Sequence, residues 1–417
     1  MGRTRIETRR PPNVLLVSSK YPPEYSGSGL RAHKTYKRLA RKFGVRFDVL
    51  CGSVTFDRSE SYEYDGARVF RVTPGVPFFS GPPESANDGH SLRRRARAKL
   101  DYLFEILRVF THLLPQRKNY DLIHIFGSSR VTSGAVSFAK VFDIPFMLEI
   151  TSDRQSPHVY EPCIVKLIRG SSFPSSTQIV CGSEKQREMC RRHGYVDNVW
   201  CRPHPVDETK FFPEASRKRE YRCRYTGFRE DDTVLSYVAK FMPTKNQLFL
   251  IDVMRLLPER FKLVMGGPVV TLGPLSGRDV SYLDGVRGTI ARHELGNRVE
   301  IVEGFIDSPA EFMKLADVYV LPSTSEGLPN PLLEAVACGV PVVANRLEGI
   351  TDTWIDPGKN GFVSGLDPRE FADKVIAAAQ IPAASLAEES QRALAAASTE
   401  VIDRQYWDRI KALTGTA

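Results

Sequence analysis

Long apolar runs, paired cysteines and acidic pairs are all missing from this sequence, and each absence excludes something. No stretch approaches 18 uninterrupted apolar residues, so a membrane-spanning helix is not expected. Met1–Pro12 is basic and lacks the apolar run of a secretory signal, which leads us to expect a cytoplasmic protein. Seven cysteines, at 51, 163, 181, 190, 201, 223 and 338, form no CxxC pair and are odd in number. That argues against a disulfide framework and against a zinc site. Asp-x-Asp, a common grip on a divalent cation, occurs nowhere, and no internal repeat or low-complexity tract is evident.

What is present is globular material. The chain has 417 residues, 42% hydrophobic and 26% charged, enough for two domains of roughly 150–200 residues each. Lys and Arg number 58 against 49 Asp and Glu, a formal charge of +9. Such an excess suits an anionic ligand, a nucleic acid or an acidic membrane surface, and does not choose among them.

Short apolar runs alternate with amphipathic segments along the chain. Asn13–Ser18 reads as a buried parallel strand, followed by a Pro/Gly-rich loop from Tyr21 to Gly29 and a helix from Leu30 to Lys42. Further strands are expected at Phe47–Cys51, Ala67–Val72, Leu122–Phe126, Pro145–Ile150 and Gln178–Cys181. After a polar, charged stretch between Phe211 and Asp232 the pattern resumes at Val234–Ala239, Phe261–Met265, Val299–Val302, Val318–Leu321 and Pro341–Ala344. Strands separated by helices imply doubly wound sheets. We expect a first Rossmann-like domain over 1–208 and a second over 209–390. A C-terminal helix over 391–417 is expected to return to the first domain.

Residues 91–114 carry apolar residues at 96, 100, 103, 107, 110 and 114, behind Arg93, Arg94, Arg95, Arg97 and Lys99. The plain reading is a domain helix with a solvated basic end. The other is a helix lying on an anionic membrane surface.

The segment richest in chemistry is LPSTSEGLPNPLLEAVACGVPVVAN, Leu321–Asn345. A strand ends at Pro322, and a polar loop carries Glu326 and Gly327. Asn330 is placed to cap a helix with Pro331 at its first position, and Gly339 to end it after Cys338. Glu334 falls near the first turn, eight residues after Glu326. One carboxylate on a loop and one on a helix can hold different hydroxyls of a single ligand, since each accepts several hydrogen bonds. Amides around Gly327 and Leu328, with the helix's positive end, suit a phosphate or a sugar.

Here the sequence resembles the family 4 glycosyltransferases, also described as glycosyl transferases group 1. Glu326 to Glu334 is similar to their E-x7-E motif, and the flanking residues follow the family almost position by position. The resemblance implies an α/β GT-B fold, two Rossmann-like domains facing a central cleft, and a retaining enzyme. It implies that Glu326 meets the donor sugar and Glu334 the ribose, with Gly327, Leu328, Pro329 and Asn330 lining the donor.

Ala239–Asn246 (AKFMPTKN) resembles the segment whose Arg and Lys neutralise the donor diphosphate. Lys245 matches the lysine, and Lys240 stands where arginine is usual, so the bidentate fork is lost. Tyr21–His33 (YPPEYSGSGLRAH) resembles the family's first glycine-rich loop, with Gly29 in place and Ser28 for the other glycine. RPHPVD at Arg202–Asp207 is similar to a junction motif. VEIVEGF at Val299–Phe305 resembles the strand that leads to the base, which makes Phe305 a donor residue. Many family members carry a catalytic histidine after the strand corresponding to Pro145–Ile150. Here Thr151 and Ser152 stand at that place, and with His124 they are the acceptor-side candidates by position; His158 is another.

The resemblance thus implies transfer of a hexose-type sugar from a UDP- or GDP-linked donor to a hydroxyl acceptor, on a glycan, a lipid carrier or a small molecule. Glu326, Lys240 and Lys245 would be the catalytic residues. No separate cofactor is expected, and without Asp-x-Asp no metal. Two rivals share features of the sequence. A sugar-nucleotide epimerase or a phosphorylase would have the same architecture, the latter marked by a lysine-bound pyridoxal phosphate. A nucleic-acid-binding protein would explain the charge. It requires basic clusters interleaved with aromatics, whereas the basic residues here are dispersed apart from 93–99, so no nucleic-acid partner is expected.

Overall fold

The structure, a computed structural model, describes residues 10–24, 26–53, 55–56, 58–73, 92–150, 177–269, 276–327 and 330–416, with the backbone only over 92–101 and at 276. Contacts divide the chain into two compact units. The first comprises Met1–Cys181, Gln186–Cys201 and Asp403–Ala417, and the second Gly182–Lys185 and Arg202–Ile402.

In the first unit the strands are β1 (Asn13–Ser18), β2 (Arg46–Cys51), β3 (Glu60–Tyr64), β4 (Ala67–Arg71), β5 (Leu122–Phe126), β6 (Phe146–Glu149), β7 (Thr177–Cys181) and β8 (Val199–Cys201). They lie in the order β3-β4-β2-β1-β5-β6-β7-β8, parallel except for the β3–β4 hairpin. The apolar runs of β1 and β5 are buried because helices cover both faces of a parallel sheet.

Sequence reading missed β3, β8 and a last strand in the second unit. β3 (ESYEY) has no apolar alternation and exists because Asp65 and Gly66 both take positive φ, 46° and 74°, closing a tight hairpin onto β4. β8 has three residues, too few for a period to show.

The second unit holds β9 (Thr233–Val238), β10 (Phe261–Gly267), β11 (Val299–Glu303), β12 (Val318–Leu321), β13 (Val342–Asn345) and β14 (Gly361–Ser364). Their order is β11-β10-β9-β12-β13-β14, parallel throughout. β9 and β12 are neighbours although two strands lie between them in sequence, so the order reverses there. Ligands of open α/β sheets bind beyond the carboxyl ends of strands at such a point.

The helix Leu92–Leu113 corrects one expectation. Of the expected stripe, 96 and 100 lie outside the described side chains and Phe110 packs on Phe138 with ring centroids 5.3 Å apart, but 103, 107 and 114 do not face the core. Ile106, Val109 and Leu113 are buried, whereas Leu103, Phe104, Leu107 and Leu114 are between 38% and 48% exposed. The helix has two apolar stripes, and the less branched one faces outward. Among the described residues no helix is long and apolar enough to cross a membrane.

The C-terminal helix Thr399–Thr414 delivers Asp403 into the first unit. The Asp403 carboxylate is fully buried and takes two bonds from Arg38 Nε, at 3.1 and 2.9 Å, with Lys42 Nζ at 3.1 Å. Nearby, Trp407 stacks on Phe43 with ring centroids 5.3 Å apart.

Candidate functional site

The second unit's switch point is built from two loops joined to each other. Past β9, the loop begins with the Ala239 amide on the Gly266 carbonyl at 2.9 Å and the Phe241 amide on Pro268 at 3.1 Å. This approach requires Gly267, whose φ is 152°; a Cβ there would lie 2.0 Å from the Ala239 carbonyl oxygen. Pro243–Lys245 then forms a single 3₁₀ turn, ended by Asn246 in the left-handed region with φ 57°.

The loop after β12 is tied to this turn. Thr324 donates its amide to the Thr244 carbonyl at 2.9 Å, and the Asn246 amide nitrogen reaches the Pro322 carbonyl at 3.3 Å. Buried beneath them, the Tyr237 hydroxyl donates to the Lys245 carbonyl at 2.8 Å, which leaves it to accept from Ser323 Oγ at 3.0 Å. Asn345 holds the Ser323 carbonyl at 2.9 Å. These bonds set the meeting of two side chains: Lys245 Nζ donates to Glu326 Oε1 at 2.6 Å. An ammonium with three donors beside a carboxylate with several acceptor positions can hold a phosphate oxygen and a sugar hydroxyl side by side.

Lys240 is placed differently. The Gln247 side chain anchors its carbonyl at 3.0 Å, and its Nζ sits 3.3 Å from Asp279 Oδ2. Asp279 is fully buried, and its other oxygen accepts from Arg278 at 2.7 Å. Sequence reasoning passed over Asp279. A signal was present, because Asp279 continues the buried stripe Leu283, Val286 and Ile290 at helical spacing, where an unpartnered carboxylate would be costly. Tyr237 and Tyr319 were also missed, as ordinary strand aromatics.

The remaining candidates of this unit fall as follows. Asn330 opens the helix Asn330–Ala337, and among the described residues its buried side-chain oxygen has no hydrogen-bond partner. The helix stops one residue before the expected Cys338, and Gly339 follows with φ 69°. Glu334 is half-buried on that helix. Burial holds the Tyr319 phenol above its ordinary value, and the charges of Glu334 and Glu326 push the same way. Gly327 directly follows Glu326, while Leu328 and Pro329 lie outside the described residues. Phe305 follows Gly304, whose φ is 111°, and is 64% exposed.

In the first unit Gly29 lies in the first turn of the helix Gly27–Phe43, where Ser26 caps its amide at 3.0 Å. A Cβ at 29 would lie 2.4 Å from the Lys20 carbonyl oxygen, so a close backbone approach accounts for the glycine. His124 is corrected as an acceptor-side candidate. It is fully buried, with Nδ1 2.7 Å from the Tyr36 hydroxyl and Nε2 3.6 Å from Glu149, which also accepts from Tyr406. Among the described residues that network joins β5, β6 and two helices. Thr151, Ser152 and His158 lie outside the described residues.

The fold of both units is that of the GT-B class. HepE of Anabaena, solved with UDP and glucose, superposes with a TM-score of 0.70 at 17% identity, over 96% of this chain and 99% of that one. Sucrose-phosphate synthase of Thermosynechococcus elongatus gives 0.71 at 16%, over 97% and 100%. Residues 222–399 match the family model of glycosyl transferases group 1.

Among curated relatives, the chain is 24% identical to the Escherichia coli UDP-Gal:α-D-GlcNAc-diphosphoundecaprenol α-1,3-galactosyltransferase, over 57% of this chain and 60% of that protein. It is 27% identical to the D-inositol 3-phosphate glycosyltransferase of Xylanimonas cellulosilytica, over 57% and 55%. It is 23% identical to the putative teichuronic acid glycosyltransferase TuaC of Bacillus subtilis, over 82% of each. The chain thus spans little more than half the length of the first two relatives. Lys240, Lys245, Glu326 and Glu334 all fall inside the segment matched to the family.

Proposed function

We propose that this protein is a retaining glycosyltransferase that moves a hexose-type sugar from a nucleotide diphosphate donor, UDP- or GDP-linked, to a hydroxyl acceptor. The observation that carries the reading is the Lys245–Glu326 pair, held at 2.6 Å where two loops are stitched together at the switch point of the second sheet. Glu326 takes the sugar hydroxyls, Glu334 the ribose, and Lys245 with Lys240 the diphosphate. Negative charge grows on the leaving diphosphate as the sugar–oxygen bond breaks, and preorganised cations favour that state over the ground state. The acceptor hydroxyl attacks from the same face, so no enzymic nucleophile is required.

The proposal includes metal independence and the absence of a further cofactor. EDTA is therefore expected to leave transfer intact; loss of activity restored by magnesium or manganese would refute that part. A thermal-shift screen tests the donor. UDP, GDP or their sugars should raise the melting temperature, by about 2.7 kcal/mol of stabilisation at a hundred times Kd. No shift with any of them would sink the reading. A pyridoxal absorbance on the purified protein would favour the phosphorylase alternative.

The acceptor belongs at a membrane face in this proposal. Two relatives act, by name, on diphosphoundecaprenol-linked sugars, the Escherichia coli protein and one from Campylobacter jejuni. The outward stripe Leu103, Phe104, Leu107 and Leu114 follows five basic residues in sequence, a pattern suited to peripheral contact with the anionic inner face. Leu103→Ser with Leu107→Ser should reduce co-sedimentation with phosphatidylglycerol vesicles, and equal binding by both proteins would count against the contact.

A further inference from the structure

We infer that Asp279 is a positioning residue that sets where the Lys240 ammonium meets the donor diphosphate. The inference rests on the donor-site reading given above. Four observations carry it.

Asp279 is fully buried in the first turn of its helix, in line with the apolar residues Leu283, Val286 and Ile290, while its neighbours Arg278 and Val280 are exposed. A carboxylate is kept out of water only when fixed partners replace the water. Its two oxygens have separate tasks. Oδ1 accepts from Arg278, at 3.0 and 2.7 Å, and among the described residues Oδ2 has no hydrogen bond and faces the Lys240 ammonium, 3.3 Å away. The Asp279 and Arg278 charges cancel, so Lys240 is oriented by the carboxylate without its positive charge being lost to it.

The same helix fixes the loop that carries Lys240 a second time. Tyr282, one turn on, accepts the Leu248 amide at 3.3 Å, and Gln247 next to it holds the Lys240 carbonyl. The helix Ser276–Arg292 thereby meets the Lys240 ammonium directly, and through Leu248 it braces the Gln247 that holds the Lys240 backbone. Finally, a lysine is a point charge on a flexible four-carbon stem, whereas an arginine brings a rigid fork. A lysine in this place gains from an outside group that restrains its head. Asp279 supplies that restraint.

The test is a double-mutant cycle of Lys240→Ala and Asp279→Asn, which keeps the shape of the aspartate and removes its charge. The readouts are UDP and GDP affinity by calorimetry and the rate of hydrolysis of UDP-glucose, UDP-galactose and GDP-mannose. Circular dichroism and thermal melts confirm that each variant is folded. Asp279→Asn alone should lower kcat about tenfold while nucleotide affinity changes by no more than about threefold, since Lys240 keeps its charge and loses its place. In the Lys240→Ala background the same substitution should change neither quantity further.

If Asp279→Asn costs as much with Ala at 240 as with Lys, the aspartate does not act through Lys240 and the inference fails while the donor site stands. If Lys240→Ala alone changes nothing, the phosphate site is itself misplaced. A parent protein that binds and hydrolyses none of these nucleotides overturns both. Should Asp279→Asn not fold, Arg278→Gln takes its place: with Arg278 gone the carboxylate neutralises Lys240, and UDP or GDP affinity should fall severalfold. Unchanged affinity there would contradict the division of charge.

Discussion

The two sheets place their charges in opposite ways. In the second unit Lys245, Glu326 and Lys240 sit on loops past the strand ends, the two lysines partly open to solvent. In the first unit Asp403 and Glu149 are buried within the fold and held by Arg38, Lys42 and Tyr406. A charge whose partners are all internal contributes to one folded arrangement. A pair on joined loops can exchange one partner for a ligand without unfolding anything. The same doubly wound plan therefore supports a reactive edge in one unit and a fastened core in the other.

Substitutions should separate the two behaviours. The largest effect is expected for Glu326→Gln, which should lower turnover on the order of 10²–10³-fold and leave the melting temperature within about 2 °C. Glu334→Gln should weaken UDP or GDP binding about tenfold instead, the scale of one hydrogen bond to a charged group. Unchanged affinity and turnover in both variants would remove the donor site from this edge. Asp403→Ala should do the reverse: about 2–3 kcal/mol of stability lost in urea unfolding, because Arg38 and Lys42 are left facing each other, with nucleotide affinity preserved. Lost affinity at full stability would erase the contrast.

A smaller effect concerns His112 on the helix Leu92–Leu113. Burial holds its pKa below the ordinary 6.5. A depressed value in the folded protein means that the unfolded chain takes up the proton first. The contribution is present above pH 6.5 and is lost as pH falls through the folded value. The urea midpoint should drop more between about pH 7 and pH 5 for the parent than for His112→Phe. Equal drops would show that the ring is solvated.

The smallest concerns thiols. Burial pushes Cys51, Cys190 and Cys338 up to about 12, while Cys223 is exposed. At about pH 8 a disulfide reagent should modify Cys223 quickly and those three only after denaturation. Fast reaction of Cys338 would show that the helix Asn330–Ala337 opens.

Much of this arrangement was legible from sequence. β1, β5 and β12 coincide with the apolar runs that announce them, because strands buried on both faces have no polar alternation to blur their ends. Glu326 and Glu334 were singled out by their spacing around a strand end and a helix start, and Lys245 by the likeness of AKFMPTKN to a family segment. What escaped was set by tertiary contact. β3 depends on a hairpin turn rather than on its own residues, and the inward face of Leu92–Leu113 is chosen by its neighbours between two apolar stripes. Asp279 has meaning only beside Lys240, 39 positions earlier in the chain. His124 read as a candidate by position alone, in place of the family's histidine, and its burial was invisible until β5 was seen at the centre of the sheet.

The most direct test of the account is Lys245→Ala, measured for sugar-nucleotide turnover alongside nucleotide affinity by calorimetry. A cation that meets charge developing on the leaving diphosphate acts mainly in the transition state, so kcat should fall on the order of 10²–10³-fold with a much smaller loss of affinity in a folded, soluble protein. A Lys245→Ala protein that turns over donor at the parent rate would make Lys245 an ordinary surface charge and place the diphosphate elsewhere.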